Sequence, residues 1–355
     1  MKGKGFDRLR GAAIMGVMGL GSLAGGTARA AVTNLPLAGS ISSGTRTARW
    51  GTFSGTNTAG QTTSGIGNLT WCLNPAVTGT YVSTSGFCFA EAELTVGTVV
   101  HGDWIDAAFA VTVDGVMFLN PDGTVDLTDN TVTTDTATVS GVDVKVEMAF
   151  SMGRIGVVRI LYSFTNDTAS PVTKSIAIGG NIGSDSSTTA QWSADGDATI
   201  ETTDGWYISS DNTVVGGDTA NDPLFTLARF EPGADVIPVA TSIPGTTDGM
   251  GFTDNFVETF DLDIPANSTR RILIFGEMSH TLTEAKAAAA SFNNKGAMAD
   301  AGLLNGLTST ERGQIVNFNV EGGGGGGGGM APGSLLTLSG LLALAGLRRR
   351  RKAAS

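Results

Sequence analysis

Residues 142–164 read VDVKVEMAFSMGRIGVVRILYSF. In the first half Val142, Val144, Val146 and Met148 alternate with Asp143, Lys145 and Glu147. In the second half Val157, Arg159, Leu161 and Ser163 alternate with Val158, Ile160, Tyr162 and Phe164. A period of two sends successive side chains to opposite faces of an extended chain. The stretch therefore predicts two half-buried antiparallel strands joined by a turn at Ser151–Arg154. Outward from it, residues 165–171 form a turn and Val172–Ile178 a third strand. Further strands are expected at Ala108–Phe118, Asp197–Glu201, Leu224–Phe230, Thr253–Leu262 and Arg270–Gly276. Turn clusters recurring about every 8–12 residues predict an all-β, antiparallel β-sandwich.

Composition agrees. Glycine supplies 51 of 355 residues and charged residues only 15%, against about 25% in an average chain. Low charge disfavours a helical bundle, whereas Gly and Thr suit short strands and tight turns. The period changes near the end. Thr283–Phe292 is Ala-rich and predicts a helix capped by Thr281 or Thr283. Residues 302–318 predict a second, with Thr308 or Ser309 capping toward Glu311. The body, residues 31–320, thus reads as one sandwich with helices near 283–318. The order of its segments resembles the large sandwiches of galactose mutarotase-like proteins, which implies a supersandwich. Residues 45–67, rich in Gly, Thr and Ser, read as an arm or an edge strand.

The ends read as addresses. Lys2, Lys4, Arg8 and Arg10 precede the apolar run Gly11–Gly25, and Ala28-Arg29-Ala30 offers small residues where a signal peptidase cuts. Residues 1–30 therefore predict a signal peptide. At the other end Gly322–Gly329 is an unbroken glycine linker within residues 321–329. Residues 330–355 follow as a tail. Its apolar stretch, Met330–Leu347, would span about 27 Å as a helix, enough for a bilayer core. Arg348, Arg349, Arg350, Arg351 and Lys352 then form a basic stop that stays on the cytoplasmic side. Linker, marginal transmembrane helix and basic stop, in that order, resemble the bacterial GlyGly-CTERM sorting tail. The resemblance implies export across the inner membrane of a Gram-negative bacterium to the cell surface or outer membrane. It also implies a rhomboid-type intramembrane sorting protease as partner, beside signal peptidase; a plain C-terminal membrane anchor explains the same tail.

With both ends set aside the body keeps 12 basic against 31 acidic side chains, a net charge near −19. Such a charge repels phosphate backbones, so nucleic acid is excluded as a partner. Two His and two Cys cannot build a zinc cluster or an iron–sulfur site, and no cofactor is expected. In an exported body Cys72 and Cys88 predict a disulfide closing a loop.

Four further constellations carry chemistry. Asp185, Trp192, Asp195, Asp197, Asp204 and Trp206, with Glu201, combine carboxylates and flat aromatic faces as a sugar-binding cleft or a glycosidase does. Polar hairpin loops explain the same residues. Asn120, Asp122, Asp126 and Asp129 with Gly123 resemble a calcium loop of the dockerin or EF-hand kind. Phe118 stands where its first carboxylate belongs, and a Pro-Asp-Gly turn reads equally well. Glu277-Met-Ser-His280 sets an acid beside a base, and His101 is the base nearest Cys88. No nucleophile elbow, Lys-bearing phosphate loop or HExxH is present. The sequence therefore predicts a non-enzymatic surface protein, structural or adhesive. The alternatives are a carbohydrate-binding or glycan-active module in residues 181–206, with surface glycans as partners, and a secreted hydrolase.

Overall fold

In the computed structural model the 142–164 hairpin forms as its alternation requires. Val142–Phe150 pairs antiparallel with Val157–Asn166, from Asp143 opposite Thr165 to Phe150 opposite Val158. The described residues are 31–34, 39–50, 66–73, 75, 83–89, 92–101, 105–184, 188–211, 223–242 and 254–320. The predicted signal peptide, the glycine linker (Gly322 and Gly329 included), the tail helix and Arg348–Arg351 lie outside them. Among the described residues no helix is long and apolar enough to cross a membrane.

The fold is an antiparallel β-sandwich. The hairpin lies centrally in a ten-stranded sheet, ordered 31–34, 124–128, 131–134, 142–150, 157–166, 268–279, 224–228, 206–210, 189–193. The short strand Ala137–Val139 pairs onto Val142–Phe150. A seven-stranded sheet follows the order 240–242, 255–264, 172–181, 106–113, 83–89, 66–73, with Val116–Met117 pairing onto Asp106–Val113. A small four-stranded sheet is made of Gly39–Ser43, Arg46–Trp50, Ala92–Val96 and Val99–His101. One apolar core fills the space between the two large sheets. Val144, Val146, Ile160 and Tyr162 meet Val111, Ile176, Ile178 and Phe260 there.

The strand Val157–Asn166 corrects the half-buried reading. All but one of its ten residues are buried, because its second face is also covered. Val157, Leu161, Leu273 and Phe275 pack against Ala285, Ala289, Phe292, Leu304 and Phe318 of the C-terminal segment. That segment holds α1 (Leu282–Ala289), a 3-10 turn (Ala290–Phe292), α2 (Lys295–Asp300) and α3 (Ser309–Gln314). Thr281 caps α1 and Thr308 caps α3 with a reciprocal Glu311 bond, as the sequence predicts. Asn294 caps α2, which the sequence reading did not separate. Residues 301–306 are turn rather than helix. The cover also fixes the hairpin's turn. A Cβ at Gly153, where φ is +74°, would stand 1.8 Å from the Ala301 carbonyl oxygen, so only glycine fits.

Asp197–Glu201 is not a strand. The Asp197 side chain instead accepts from the Thr199 N–H, an alternative that Asp offers in place of a ladder. Cys72 and Cys88 are joined as a disulfide, with Cα atoms 5.9 Å apart, between neighbouring strands of the seven-stranded sheet. Ala107, Ala110 and Met117 pack around it.

Candidate functional site

The segment singled out for its carboxylates and indoles is where the chain changes sheets. Val172–Asn181 ends in the seven-stranded sheet, and Thr189–Ser193 begins the edge of the ten-stranded one. Trp206–Ser210 then returns antiparallel, with Trp192 opposite Ile208. The connection between these edge strands is tied by its own side chains. Ser193 Oγ donates to Asp195 at 2.6 Å and the Thr199 N–H to Asp197 at 2.6 Å. The Glu201 N–H donates to Asp204 at 2.8 Å. These are turn-forming bonds of the kind Asp favours. Asp195 and Asp197 are exposed, whereas Asp204 is buried. Burial raises the Asp204 carboxyl above the ordinary carboxylate range, and the Asp195 charge pushes the same way. The bond from Glu201 and the nearby Arg229 oppose both.

The indoles turn the other way. Trp206 is 7% exposed, and its Nε1–H donates to Asn293 Oδ1 at 2.7 Å beneath the helical cover. Trp192 is half-buried against the same apolar cluster, with Lys286 Nζ 3.2 Å from its ring centroid. The lysine occupies the face a sugar ring would use. Thus the loop brings Asp195 and Asp204 together, while Trp192 and Trp206 face the helices. Asp185 lies outside the described residues.

Next to this loop is a buried charge cluster that the sequence reading missed. Arg229 and Glu258, both 0% exposed, pair at 2.9 Å between Nη1 and Oε2. Arg229 follows Leu224–Ala228 of the ten-stranded sheet, and Glu258 sits in Asn255–Ile264 of the other. The remaining guanidinium donors reach the carbonyls of Glu201 and Asp204 and the hydroxyl of Thr241. Tyr207 lies under the guanidinium, 5.0 Å to the ring centroid, and its Oη donates to Glu258 at 3.4 Å. Burial pushes the Glu258 carboxyl up while Arg229 holds it down, and burial raises the Tyr207 phenol well above its ordinary range. With its donors spent inside the protein, the cluster rivets sheet to sheet and holds the loop carbonyls. Its one sequence signal is a lone charge inside an apolar run, Arg229 in LFTLARF and Glu258 in NFVETF.

The other constellations also serve the scaffold. Asn120 is buried, donating to the Thr124 carbonyl at 2.5 Å and accepting from the Asp135 N–H at 3.0 Å. Asp126 lies within Thr124–Thr128, and Asp129, at φ +50°, makes the turn into Thr131–Thr134. Residues 124–134 of the stretch form a hairpin. Among the described residues no three His, Cys, Asp or Glu side chains are placed to hold a metal. Glu277 is buried and held by Arg154, Nε to Oε1 at 2.6 Å, while Arg154 also reaches Ser291 and the Ala288 carbonyl. His280 meets His101 rather than a nucleophile. An apolar crevice of about 10 Å³ lies beside Trp50 and Phe150, too small for more than a single water.

No family model and no curated protein matches the chain. Solved structures are similar to it only distantly. A polysaccharide lyase is 12% identical with a TM-score of 0.37, over 62% of this chain and 33% of its own. The heparan sulfate lyase HepC from Pedobacter heparinus is 8% identical with a TM-score of 0.33, over 66% and 33%. Heparinase III is 7% identical with a TM-score of 0.34, over 67% and 34%. The chain thus spans about a third of those proteins' length. Likenesses this distant carry no argument about activity.

Proposed function

We propose that the chain is an exported bacterial surface protein whose sandwich serves a structural or adhesive role. One observation carries this reading. In the described part of residues 181–206 the Asp side chains are spent on turns, and both indoles pack toward the helical cover. Convergent chemistry on an open face is what a catalytic or sugar-binding cleft needs. The Cys72–Cys88 bridge suits an oxidising compartment, and an acidic body suits solubility there. The sorting tail supplies the route. Its glycines offer an intramembrane protease an extended backbone next to a marginal helix.

The test uses the full-length chain with one epitope in the body and another after Ser355. External protease on intact cells is expected to remove the body epitope, and surface material is expected to lack the C-terminal one. Replacing Gly322–Gly329 by a helical spacer is expected to hold full-length protein in the inner membrane. A body sheltered from external protease overturns surface display, and a C-terminal epitope persisting on surface material overturns cleavage. A glycan array read by tryptophan fluorescence covers the alternative. Saturable binding lost in Trp192→Ala would move the assignment to a carbohydrate-binding module.

A further inference from the structure

The sequence holds a single Asn–Gly dipeptide, Asn305-Gly306. It closes the turn 301–306 between α2 and α3 in the helical cover, and both residues are exposed. Gly306 takes φ +82°, and it sets no side chain beside its own nitrogen. The N–H groups on either side donate within the turn, Asn305 to the Gly302 carbonyl and Leu307 to that of Leu304. Among the described residues the Gly306 N–H has no hydrogen-bond partner.

The same peptide group meets a buried cation at its oxygen. Arg159 is 1% exposed in the sheet beneath. Its Nη1 donates to the Asn305 carbonyl at 2.5 Å and to that of Leu303 at 3.3 Å. Its Nη2 lies 3.9 Å from where a Cβ on Gly306 would stand. Glu147 pairs with that Nη2 at 3.0 Å and so orients the fork, leaving Nη1 on the carbonyls. Arg312 Nη2 holds the intervening Leu304 carbonyl at 2.8 Å. An amide that loses its proton carries the charge mainly on its oxygen. Here that oxygen already accepts a charge-assisted hydrogen bond from a fixed, desolvated guanidinium, the arrangement of an oxyanion hole. The Gly306 nitrogen is therefore easier to deprotonate than in a free peptide, and Asn305 Cγ is the electrophile next to it.

We propose that Asn305-Gly306 is a self-modifying site at which Arg159 promotes conversion of the asparagine to aspartate and isoaspartate. Solvent base takes the Gly306 amide proton. The nitrogen attacks Asn305 Cγ, the N–Cγ bond forms and the Cγ–Nδ2 bond breaks. The leaving nitrogen takes its proton from water and departs as ammonia. Water then opens the five-membered imide. Opening at Cγ leaves aspartate. Opening at the main-chain carbonyl leaves isoaspartate, whose backbone runs through Cβ and Cγ and is one methylene longer. The net change consumes one water, releases one ammonia and adds one negative charge to the cover.

The test compares folded protein with its own peptide. Detergent-solubilised full-length protein is held at neutral pH and body temperature and sampled over days. Trypsin then releases residues 296–312, in which Asn305 is the one asparagine. Mass spectrometry reads conversion as a gain of about one dalton, a methyltransferase assay scores isoaspartate, and a zero-time digest corrects for conversion during proteolysis. The purified peptide is incubated in parallel. Conversion is expected to be about tenfold faster in the folded protein, a conservative share of what one preorganised oxyanion donor contributes. A folded rate equal to or below that of the peptide overturns the proposal, and this comparison needs no variant. Arg159→Lys keeps the charge but loses the fork. With its fold checked by circular dichroism, it is expected to bring the rate down to that of the peptide. A folded Arg159→Lys protein that converts as fast as wild type also overturns the proposal.

Discussion

Two hairpins of the ten-stranded sheet are ordered by opposite means. Val142–Phe150 with Val157–Asn166 lies at the sheet's centre, between the inter-sheet core and the helical cover. Thr189–Ser193 with Trp206–Ser210 lies at its edge, and its connection is held by Asp side chains and by the buried Arg229. The first is fixed by non-directional burial and leaves a period in the sequence. The second is fixed by particular hydrogen bonds, so its polar residues look like a site until their partners are known. A cluster of carboxylates and indoles is therefore ambiguous in sequence in a way that alternating valines are not.

The largest expected effect tests the polar means of order. Arg229→Met would strand the Glu258 carboxylate where it is 0% exposed. Removing one partner of a buried pair costs about 3–5 kcal/mol. Urea denaturation should show that loss, and Arg229→Met with Glu258→Met should recover much of it. A loss of well under about 1 kcal/mol would mean that the edge hairpin does not depend on the cluster.

Leu161→Ala tests the apolar means. Leu161 is 0% exposed under the helical cover, and such truncations cost about 2–5 kcal/mol. Asp195→Ala in the edge hairpin removes the part-buried turn bond from Ser193 and a long one from the Asp197 N–H and should cost about 1 kcal/mol. Equal losses would erase the distinction. Third in size, Cys72→Ala with Cys88→Ala opens a bridge of sequence separation 16, worth about 3 kcal/mol on the loop-entropy model. Wild type under reducing conditions should fall by a similar amount, and a variant as stable as oxidised wild type would count against the model.

Which parts were legible follows from the same contrast. The β class, the central strands and the caps Thr281 and Thr308 rest on local rules of period and capping, and they stand in the sequence. The doubly covered face of Val157–Asn166 does not, because Arg159 and Ser163 read as solvent-facing. In the fold Arg159 reaches Glu147 and the carbonyls of Leu303 and Asn305, partners up to 146 positions away. The roles of Asp204 and Trp206 are equally distant. One depends on the neighbourhood of Arg229, the other on Asn293. The Cys72–Cys88 pairing was readable because two cysteines allow only one partner each.

The smallest expected effect asks whether cover and hairpin are one unit. Thr308 Oγ1 accepts the Glu311 N–H at 3.1 Å, and Glu311 Oε2 accepts the Thr308 N–H at 2.9 Å. Thr308→Ala removes the cap at a cost of about 1 kcal/mol, whereas Thr308→Ser keeps an acceptor and should be nearly neutral. Helix α3 is short and buries none of its own residues, so in isolation this loss would only fray its first turn. It is tied to the sheet, however. Gln314 accepts from Arg271 Nε at 2.9 Å, and Ile315 bridges to Arg271 in the strand beside Val157–Asn166. If these links make cover and sheet cooperative, hydrogen exchange in Val157–Asn166 should speed up by the factor that urea denaturation reports for the whole protein. Faster exchange confined to Ser309–Gln314 would show a cover that moves by itself. The central hairpin would then owe its order to the inter-sheet core alone.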